Sequence, residues 1–157
     1  MSGENQPRWL TEEQQVVWRA FLDGMARIQE TLDADLRSRG LDLAEYEILV
    51  RLSESENRSM RMSDLADAAR QSRSRLTHTV TRMERKGLVT RAPAPADRRG
   101  VMATLTDAGF ALLETAAPDH VTAVRAVLVD VVDEADYAAL GRAMQAVTAT
   151  PVQSRTA

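Results

Sequence analysis

The amino-acid sequence predicts a mainly α fold with one small β-hairpin, an α+β arrangement. Hydrophobic residues make up 44% of the 157 residues but aromatic residues only 4%. Ala, Leu, Val and Met must therefore fill the core, which favours helices. Apolar residues recur at spacings of three and four over most of the chain, and two strand-like runs at 88–91 and 101–105 flank a proline-containing loop at 92–100. The predicted order is four helices, a hairpin and two further helices.

Capping signals indicate where the helices begin. Thr11 followed by Gln14 predicts a capping box at the start of a long first helix. Apolar residues at helical spacing across 18–36 mark one face of that helix, and Gly40 is expected to end it. The residues predicted to cap later helices are Asp42, Ser63, Thr106 and Asp133.

Two helices separated by a few residues lie between Ser63 and Lys86, which is the arrangement of a helix-turn-helix. The second runs from about Ser72 to Lys86, and Gly87 is placed to end it in a left-handed conformation. Its outer face mixes arginines with small hydroxyls, as a helix that enters a major groove requires. The predicted core stripe is Leu76, Val80 and Met83. The predicted outer residues are Gln71, Ser74, Arg75, His78, Thr81, Arg82 and Arg85, with Arg73 and Thr77 to one side.

Positive charge is concentrated in this part of the chain. The net charge is −3, yet residues 70–99 contain nine cationic side chains and only two carboxylates, a local net charge of +7. A basic block within an acidic protein is typical of a localised site for a polyanion, although a solvated helix face gives the same pattern. The cations are Arg70, Arg73, Arg75, Arg82, Arg85, Lys86, Arg91, Arg98 and Arg99.

The hairpin after this helix completes the layout of a winged helix. Its loop carries Arg98 and Arg99, which are placed to reach the minor groove beside the recognition helix. Asp97 is expected to brace one of these arginines by an ion pair; the alternative is that it starts a type I turn. The pattern therefore favours DNA binding.

Two blocks of the sequence resemble those of one protein family. Residues 82–91, RMERKGLVTR, are similar to the R-L-x-x-K-G-L-V-x-R signature of the MarR family. Residues 97–106, DRRGVMATLT, are similar to that family's D-x-R-x-x-x-x-x-L-T block, and the helix start Asp107-Ala108-Gly109 follows it as in the family. The spacing of the blocks also matches, and a weaker likeness extends from about Val16 to Val147.

The resemblance implies a winged helix-turn-helix homodimer in which the first and last helices of two chains interlock. Each recognition helix would enter a major groove and each wing a flanking minor groove of a pseudo-palindrome. The resemblance makes Arg99 the wing-tip residue and Asp97 the acidic residue that orients it. The DNA-binding residues predicted from pattern and resemblance together are Ser72, Arg73, Ser74, Arg75, Thr77, His78, Arg82, Asp97, Arg98 and Arg99.

The chain is expected to consist of three parts between flexible tails at 1–10 and 150–157. Residues 11–41 form an N-terminal dimerisation helix, 42–106 the winged helix-turn-helix domain and 107–149 the C-terminal dimerisation helices. The apolar stripes of the flanking helices need a further surface to bury against, which independently favours a dimer.

A small organic effector, aromatic or anionic, could control DNA binding by this protein. Sensing of peroxide through a thiol is excluded because the sequence contains no cysteine. A dimer core would need the same apolar stripe as a ligand pocket, so both interpretations stay open. The candidate ligand-binding residues are Trp18, Phe21, Leu22, Met25 and Tyr46.

Other functions find little support. His78 and His120 are far apart, and the absence of cysteine removes thiolate ligands, so neither a metal nor a cofactor is expected. No apolar run approaches the roughly 20 residues that span a bilayer, and no secretory signal is evident, so a cytoplasmic location is expected. Carboxylates cluster at predicted helix starts, which the helix dipole explains, and no catalytic motif occurs, so we expect no enzymatic activity.

The sequence therefore predicts a sequence-specific, double-stranded DNA-binding transcriptional regulator. It is expected to act as a ligand-responsive, homodimeric repressor on a pseudo-palindromic operator. The alternative is a winged-helix module that binds a protein partner and no nucleic acid.

Overall fold

The computed structural model describes residues 7–95 and 97–151, with the backbone alone at 97–99. A 3-10 turn at Glu56–Arg58 precedes the first strand, and a π-helical turn at Arg125–Val129 follows the fifth helix. The helices are α1 (Glu12–Arg37), α2 (Leu43–Ser53), α3 (Met62–Ala68), α4 (Arg73–Arg85), α5 (Asp107–Val124) and α6 (Glu134–Ala149). The strands are β1 (Ser59–Arg61), β2 (Val89–Ala94) and β3 (Asp97–Leu105).

The mainly α fold with a β-hairpin wing is confirmed, but the sheet has one strand more than expected. β1 pairs antiparallel with β3, and the strand order is β1-β3-β2. Ser59 stands opposite Thr104, and their hydroxyl oxygens lie 2.9 Å apart. Three residues are too few for an alternating pattern to be recognised, so only the partner strand reveals β1.

The wing strands are longer than predicted, and the prediction of a loop over residues 92–100 is wrong. β2 continues to Ala94 and β3 begins at Asp97, with Pro93 opposite Val101 and a register shift between Pro93 and Ala94. Proline lacks an amide hydrogen and is tolerated in β2 because this strand lies at the edge of the sheet. The wing is therefore a longer hairpin than predicted, with Pro93 inside its edge strand.

Most of the predicted helix boundaries are confirmed by their caps. Thr11 with Gln14 and Asp42 with Glu45 both form complete capping boxes, and Thr106 and Asp133 also cap their helices. The prediction for Ser63 is wrong, because α3 begins at Met62 and Arg61 holds the N-cap position without a side-chain bond. Gly40 and Gly87 both adopt φ of +73°, as helix-ending glycines do.

The hydrophobic core lies in the middle of the chain. The C-terminal end of α1 meets α2, α3, α4, the sheet and the start of α5 around residues that are fully buried. By contrast, α1 buries only Leu32 and Leu36, and α6 buries none of its side chains. The core of the winged helix thus includes the end of α1 and the start of α5, while the rest of the flanking helices keeps much apolar surface exposed. The central buried residues are Leu36, Ile48, Leu49, Leu52, Leu65, Leu76, Val80, Met83 and Ala103.

Candidate nucleic-acid interface

The turn between α3 and α4 contains a residue with left-handed backbone. Arg70, two residues after the end of α3, adopts φ of +50°. Its amide donates to Asp67 O at 3.2 Å and that of Gln71 to Ala66 O at 2.9 Å, which are the paired bonds of a Schellman motif. Glycine is usual at this position because the left-handed conformation costs other residues about 1 kcal/mol. Arg70 adopts this conformation instead, and it places a positive charge at the tip of the turn.

Helix α4 begins directly after this turn. Ser72 is its N-cap, and the Ser72 hydroxyl accepts a hydrogen bond from Arg75 N at 3.2 Å. The predicted core stripe is confirmed, because Leu76, Val80 and Met83 are all buried. Thr79 is buried beside them and donates to Arg75 O at 3.1 Å, so its hydroxyl faces its own helix.

The first two turns of α4 present the predicted DNA-contacting residues on one exposed surface. The Thr77 hydroxyl donates to Arg73 O at 2.8 Å, which leaves its lone pairs free to accept another bond. Arg73 and Arg75 have no carboxylate within salt-bridge distance among the residues that the structure describes. The structure thus brings these side chains together, and their contact with DNA stays a prediction. The exposed residues are Ser72, Arg73, Ser74, Arg75, Thr77 and His78.

The last turn of α4 is engaged differently. Arg82 Nη2 donates to Asp42 Oδ2 at 2.6 Å, and Arg82 Nε lies 3.4 Å from Glu45 Oε1. Lys86 Nζ donates to both carboxylate oxygens of Glu45, at 2.9 and 2.8 Å, and to Gly40 O at 2.9 Å. Arg82 remains half exposed, so DNA contact stays a prediction for it, but one side of its guanidinium binds α2.

A second ion pair joins α4 to the wing. Glu84 Oε1 accepts a hydrogen bond from Arg91 N at 3.2 Å, and Glu84 Oε2 accepts from Arg91 Nε at 3.1 Å and Nη2 at 2.7 Å. These bonds from Arg91 hold the pKa of the Glu84 carboxyl below its ordinary value. Three bonds to one carboxylate fix the first wing strand relative to the recognition helix.

The side chains at the end of the wing lie outside the described part of the structure. This applies to Asp97, Arg98 and Arg99, so the predicted ion pair between Asp97 and an arginine stays a prediction. Their backbone begins β3, and Asp97 stands opposite Ala94 on β2. The backbone therefore places all three residues next to the hairpin turn.

The basic surface is smaller than the sequence count suggested. Of the nine cations in residues 70–99, the side chains of Arg82, Lys86 and Arg91 bind carboxylates of the same chain. Those of Arg98 and Arg99 are not described. The described cations of this block that are exposed and hold no salt bridge within the described residues are Arg70, Arg73, Arg75 and Arg85.

Sequence reasoning missed the roles of Glu45 and Glu84. Glu45, three residues after the predicted cap Asp42, is 1% exposed and pairs with α4. A signal was available, because Glu45 precedes Ile48, Leu49 and Leu52 at the spacing of the core stripe. Its partners could not be identified from that pattern, since they lie about 40 residues further along the chain.

The five candidate ligand-binding residues do not form one site. Trp18 and Phe21 stack with ring centroids 6.0 Å apart and line a largely apolar cavity of about 680 Å³ between α1 and α6. Leu22 and Met25 are exposed further along α1 and do not line it. Tyr46 is buried at another place, between α2 and α5. A larger polar cleft of about 710 Å³, between α1 and the α3–α4 turn, contains none of the five.

Tyr46 belongs to a small polar cluster. Its ring lies 4.2 Å from the ring of His120, and burial, together with the charge of Asp35, raises the pKa of the Tyr46 hydroxyl. Burial lowers the pKa of His120, and the charge of Asp35 opposes this shift. Nδ1 of His120 and Oδ2 of Asp35 are buried without a hydrogen-bond partner among the described residues. The cluster joins α1, α2 and α5 at the point where α5 leaves the winged helix.

Neither a metal cluster nor a membrane span is found in the described part of the chain. Within 7–95 and 97–151, no group of three or more His, Cys, Asp or Glu side chains could hold a metal ion. None of the helices in these ranges is both long and apolar enough to cross a membrane.

The α3–turn–α4 unit, with an exposed outer face and a following β-hairpin, defines a winged helix-turn-helix protein. The family model of the MarR family matches residues 41–101, which contain α2, β1, α3, α4, β2 and the first half of β3. The matched segment therefore coincides with the helix-turn-helix and most of the wing.

Solved structures show the same relationship over nearly the whole chain. AbsC, a MarR family transcriptional regulator from Streptomyces coelicolor, is 44% identical, with 90% of this chain and 96% of AbsC covered and a TM-score of 0.86. Sco3205, a MarR family transcriptional regulator from the same organism solved in complex with DNA, is 39% identical, with 96% of each chain covered and a TM-score of 0.90. The chain belongs to the MarR family.

A curated relative agrees over a shorter segment. The HTH-type transcriptional regulator PecS of Dickeya dadantii is 32% identical over 102 residues, or 64% of this chain. The matched segment spans 61% of the length of PecS.

Proposed function

We propose that this chain is a transcriptional regulator that binds double-stranded DNA as a homodimer and represses from a pseudo-palindromic operator. The observation that carries the proposal is the exposed face of α4, on which Arg73 and Arg75 have no salt bridge within the described residues, in a helix whose last turn is bound to the wing through Glu84 and Arg91. A helix of this kind fits a B-DNA major groove, and arginine can donate to guanine O6 and N7 or to phosphate. The alternative, a module that binds only protein, has no comparable support.

In the proposed complex, the N-terminal half of α4 enters the major groove. Ser72, Ser74 and Thr77 let the helix approach closely, while arginine side chains read bases or hold phosphates. Arg98 and Arg99 on the wing would contact the adjacent minor groove, with Asp97 orienting one of them. Structural similarity to Sco3205, which was solved with DNA, supports this docking.

The flanking helices support the proposal of a homodimer. Large apolar side chains stay exposed along α1, at the end of α5 and on α6, and the described part of a single chain offers nothing to cover them. Trp18 is 52% exposed and Val147 64%. Burial of such a surface against a second copy is the usual solution, and it also provides the two recognition helices that a pseudo-palindrome requires. The exposed set includes Val16, Val17, Trp18, Leu22, Met25, Val121, Val131, Tyr137 and Val147.

We further propose that a small organic effector, aromatic or anionic, relieves repression. Support comes from the apolar cavity beside the Trp18–Phe21 stack and from the polar cluster around Tyr46, both on helices that connect to the winged helix. A flat ring fits an aromatic stack, whereas the described lining of this cavity contains one carboxylate, Glu13, and no cation, so the cavity supports an aromatic effector better than an anionic one. Leu22 and Met25 are then assigned to the dimer surface.

The proposal is tested by comparing arginines on and off the α4 face. Arg75→Ala should lower affinity at least about tenfold for a duplex selected from a random pool by the wild-type chain, because one interaction with DNA is removed from each protomer. Arg99→Ala should weaken binding with the fold intact. Fluorescence anisotropy gives the Kd of each variant, and circular dichroism checks folding.

A matched control is Arg51→Ala, which removes the same charge from the exposed surface of α2, where Arg51 pairs with Glu47. Its Kd should stay close to that of the wild type. Equal reductions in affinity for Arg75→Ala and Arg51→Ala would show that only net charge matters and would remove α4 from the mechanism.

A further inference from the structure

One carboxylate is buried in the winged helix. Glu45 is 1% exposed, and the other buried polar side chain of the described residues, Thr79, is uncharged. A buried carboxylate is strongly destabilising unless cations and hydrogen-bond donors surround it. Its partners therefore indicate which parts of the fold it must hold together.

Cations from the recognition helix provide most of that compensation. Lys86 Nζ binds both oxygens of Glu45, at 2.9 and 2.8 Å, and Arg82 Nε approaches to 3.4 Å. A backbone amide, Asp42 N, donates to Glu45 Oε2 at 3.2 Å. Lys86 also donates to Gly40 O, which lies just before α2. The C-terminal end of α4 is thus bound to the N-terminal end of α2 by ion pairs whose carboxylate is buried and whose cations are partly exposed.

The same end of α2 is bound to α1. Asp33 on α1 accepts a hydrogen bond from Leu43 N at 3.1 Å. Asp42 accepts from Glu45 N at 2.8 Å and from Arg82 Nη2 at 2.6 Å. Charged and hydrogen-bonded groups therefore run without interruption from α1, through the start of α2, to the last turn of α4.

We propose that Glu45 is a positioning residue for DNA binding: through Lys86 and Arg82 it sets the angle of α4 relative to α1. This inference rests on the proposed function, in which α1 belongs to the dimer interface and α4 enters the major groove. If α1 is fixed by dimerisation, the angle held by Glu45 determines the separation of the two recognition helices. Glu45 thereby selects the spacing of half-sites that the dimer accepts.

The geometry makes the spacing sensitive to this ion pair. The 13 residues of α4 span about 20 Å. The Glu45 side chain holds one end, which includes Arg82, while the other predicted DNA-binding residues of this helix, from Ser72 to His78, lie towards the opposite end. A rotation of about 10° at the held end moves the far end by roughly 3.5 Å, close to the rise of about 3.4 Å per base pair along one strand. A small change of orientation is therefore enough to relax the spacing by one base pair.

The test uses full-length protein and a set of duplexes whose selected half-sites are kept while the spacer is shortened or lengthened by one or two base pairs. Glu45→Gln should weaken binding to the best spacer by about tenfold and reduce the preference over neighbouring spacers several-fold. Lys86→Met should act in the same direction, and the double variant should cost much less than the sum of the two. Glu45→Asp keeps the charge with a shorter reach and provides a folded variant if Glu45→Gln is unstable.

A matched control is Glu47→Gln, on the same helix, where the Glu47 side chain is 40% exposed and pairs only with Arg51 among the described residues. This variant should keep the spacer profile. All measurements are made below the unfolding transition, recorded by circular dichroism. A lower Tm with an unchanged spacer profile in every Glu45 and Lys86 variant would make the ion pair purely structural and overturn the inference. A wild-type chain that binds no duplex would overturn the proposed function itself.

Discussion

The burial of His120 makes the folding stability of the protein depend on pH. It lies half-buried on α5 against Tyr46, and burial holds its pKa below the ordinary value of 6.5. Asp35 on α1 is the acidic group that opposes this shift, and Asp119, beside it on α5, pairs with Arg39. Since the folded state disfavours the charged imidazole, the unfolded chain binds the proton first as pH falls. The contribution of His120 to the free energy of unfolding is therefore fully present above the pKa that its imidazole has in the unfolded chain. This contribution is lost as pH falls through the lower pKa of the folded state.

We predict that Tm falls more between about pH 7.5 and pH 5 in the wild type than in His120→Phe, which keeps a ring against Tyr46 but cannot titrate. Thermal unfolding followed by circular dichroism measures the difference. His78→Phe is the matched control, because it makes the same replacement at an exposed position on α4. The interpretation fails if Tm drops equally in the wild type and in His120→Phe over this range.

Individual side chains differ in how far the sequence predicts them. The outward direction of Arg73, Arg75 and His78 follows from helical periodicity, which is a local property, and the structure agrees. The engagement of Arg82 and Lys86 could not be predicted, because their carboxylate partners lie on α2 and only folding brings them together. A positive charge in a basic block can therefore serve the fold as well as a ligand.

Among the elements, the start of α5 depends on a close approach that only glycine allows. A Cβ at Gly109 would lie 2.3 Å from Leu88 O and 2.7 Å from Leu105 Cδ1, and the first of these is backbone that cannot move aside. We predict that Gly109→Ala destabilises the protein by about 1–3 kcal/mol, as overpacking in a close-packed site does. Denaturant unfolding measures the change.

The control is Gly141→Ala in α6, where a Cβ meets nothing within 4 Å in a single described chain. Alanine in a helix interior should there stabilise by about 0.5–1 kcal/mol. If Gly109→Ala matched the wild type in stability, the packing of α5 against the wing would have to be looser than the distances indicate.

The elements themselves were predictable to the extent that their signals are local. Helices α1, α2, α5 and α6 carry capping side chains at the predicted residues. β1 and the outer halves of the wing strands were missed because strand pairing is non-local, and because Pro93 in β2 is compatible with a strand only at a sheet edge. Serine favours the N-cap position, which predicts a cap at Ser63, but β1 runs directly into α3.

At the scale of the whole molecule, exposed apolar surface on the flanking helices predicts self-association. Val17 is 68% exposed and lines the cavity between α1 and α6. We predict that Val17→Asp shifts the protein from dimer to monomer in sedimentation equilibrium and weakens operator binding, because a buried carboxylate would replace an apolar side chain. Val101→Asp, at an exposed apolar site on the wing, should leave the oligomeric state unchanged. A wild-type chain that sediments as a monomer would contradict the proposed assembly.

The sequence predicted the general architecture of the molecule, but it overestimated the number of cationic side chains in residues 70–99 that are available to a ligand. A local charge of +7 was expected from residue counts, whereas several of these cations pair with carboxylates on α2 and α4 itself. Those that hold no salt bridge within the described residues lie at the α3–α4 turn and along α4. This arrangement still predicts a footprint of several phosphates for each dimer.

The central claim is that this surface binds the DNA backbone, and the salt dependence of affinity tests it most directly. If a dimer neutralises about 6–10 phosphates, Kd for a selected duplex should rise by about 10³–10⁵ between 50 and 200 mM salt, since each neutralised phosphate releases bound counterions. The log–log plot should be linear, and Arg75→Ala should lower its slope by about one for each phosphate that this arginine binds in the wild type. A Kd that stays constant over this range would contradict the account.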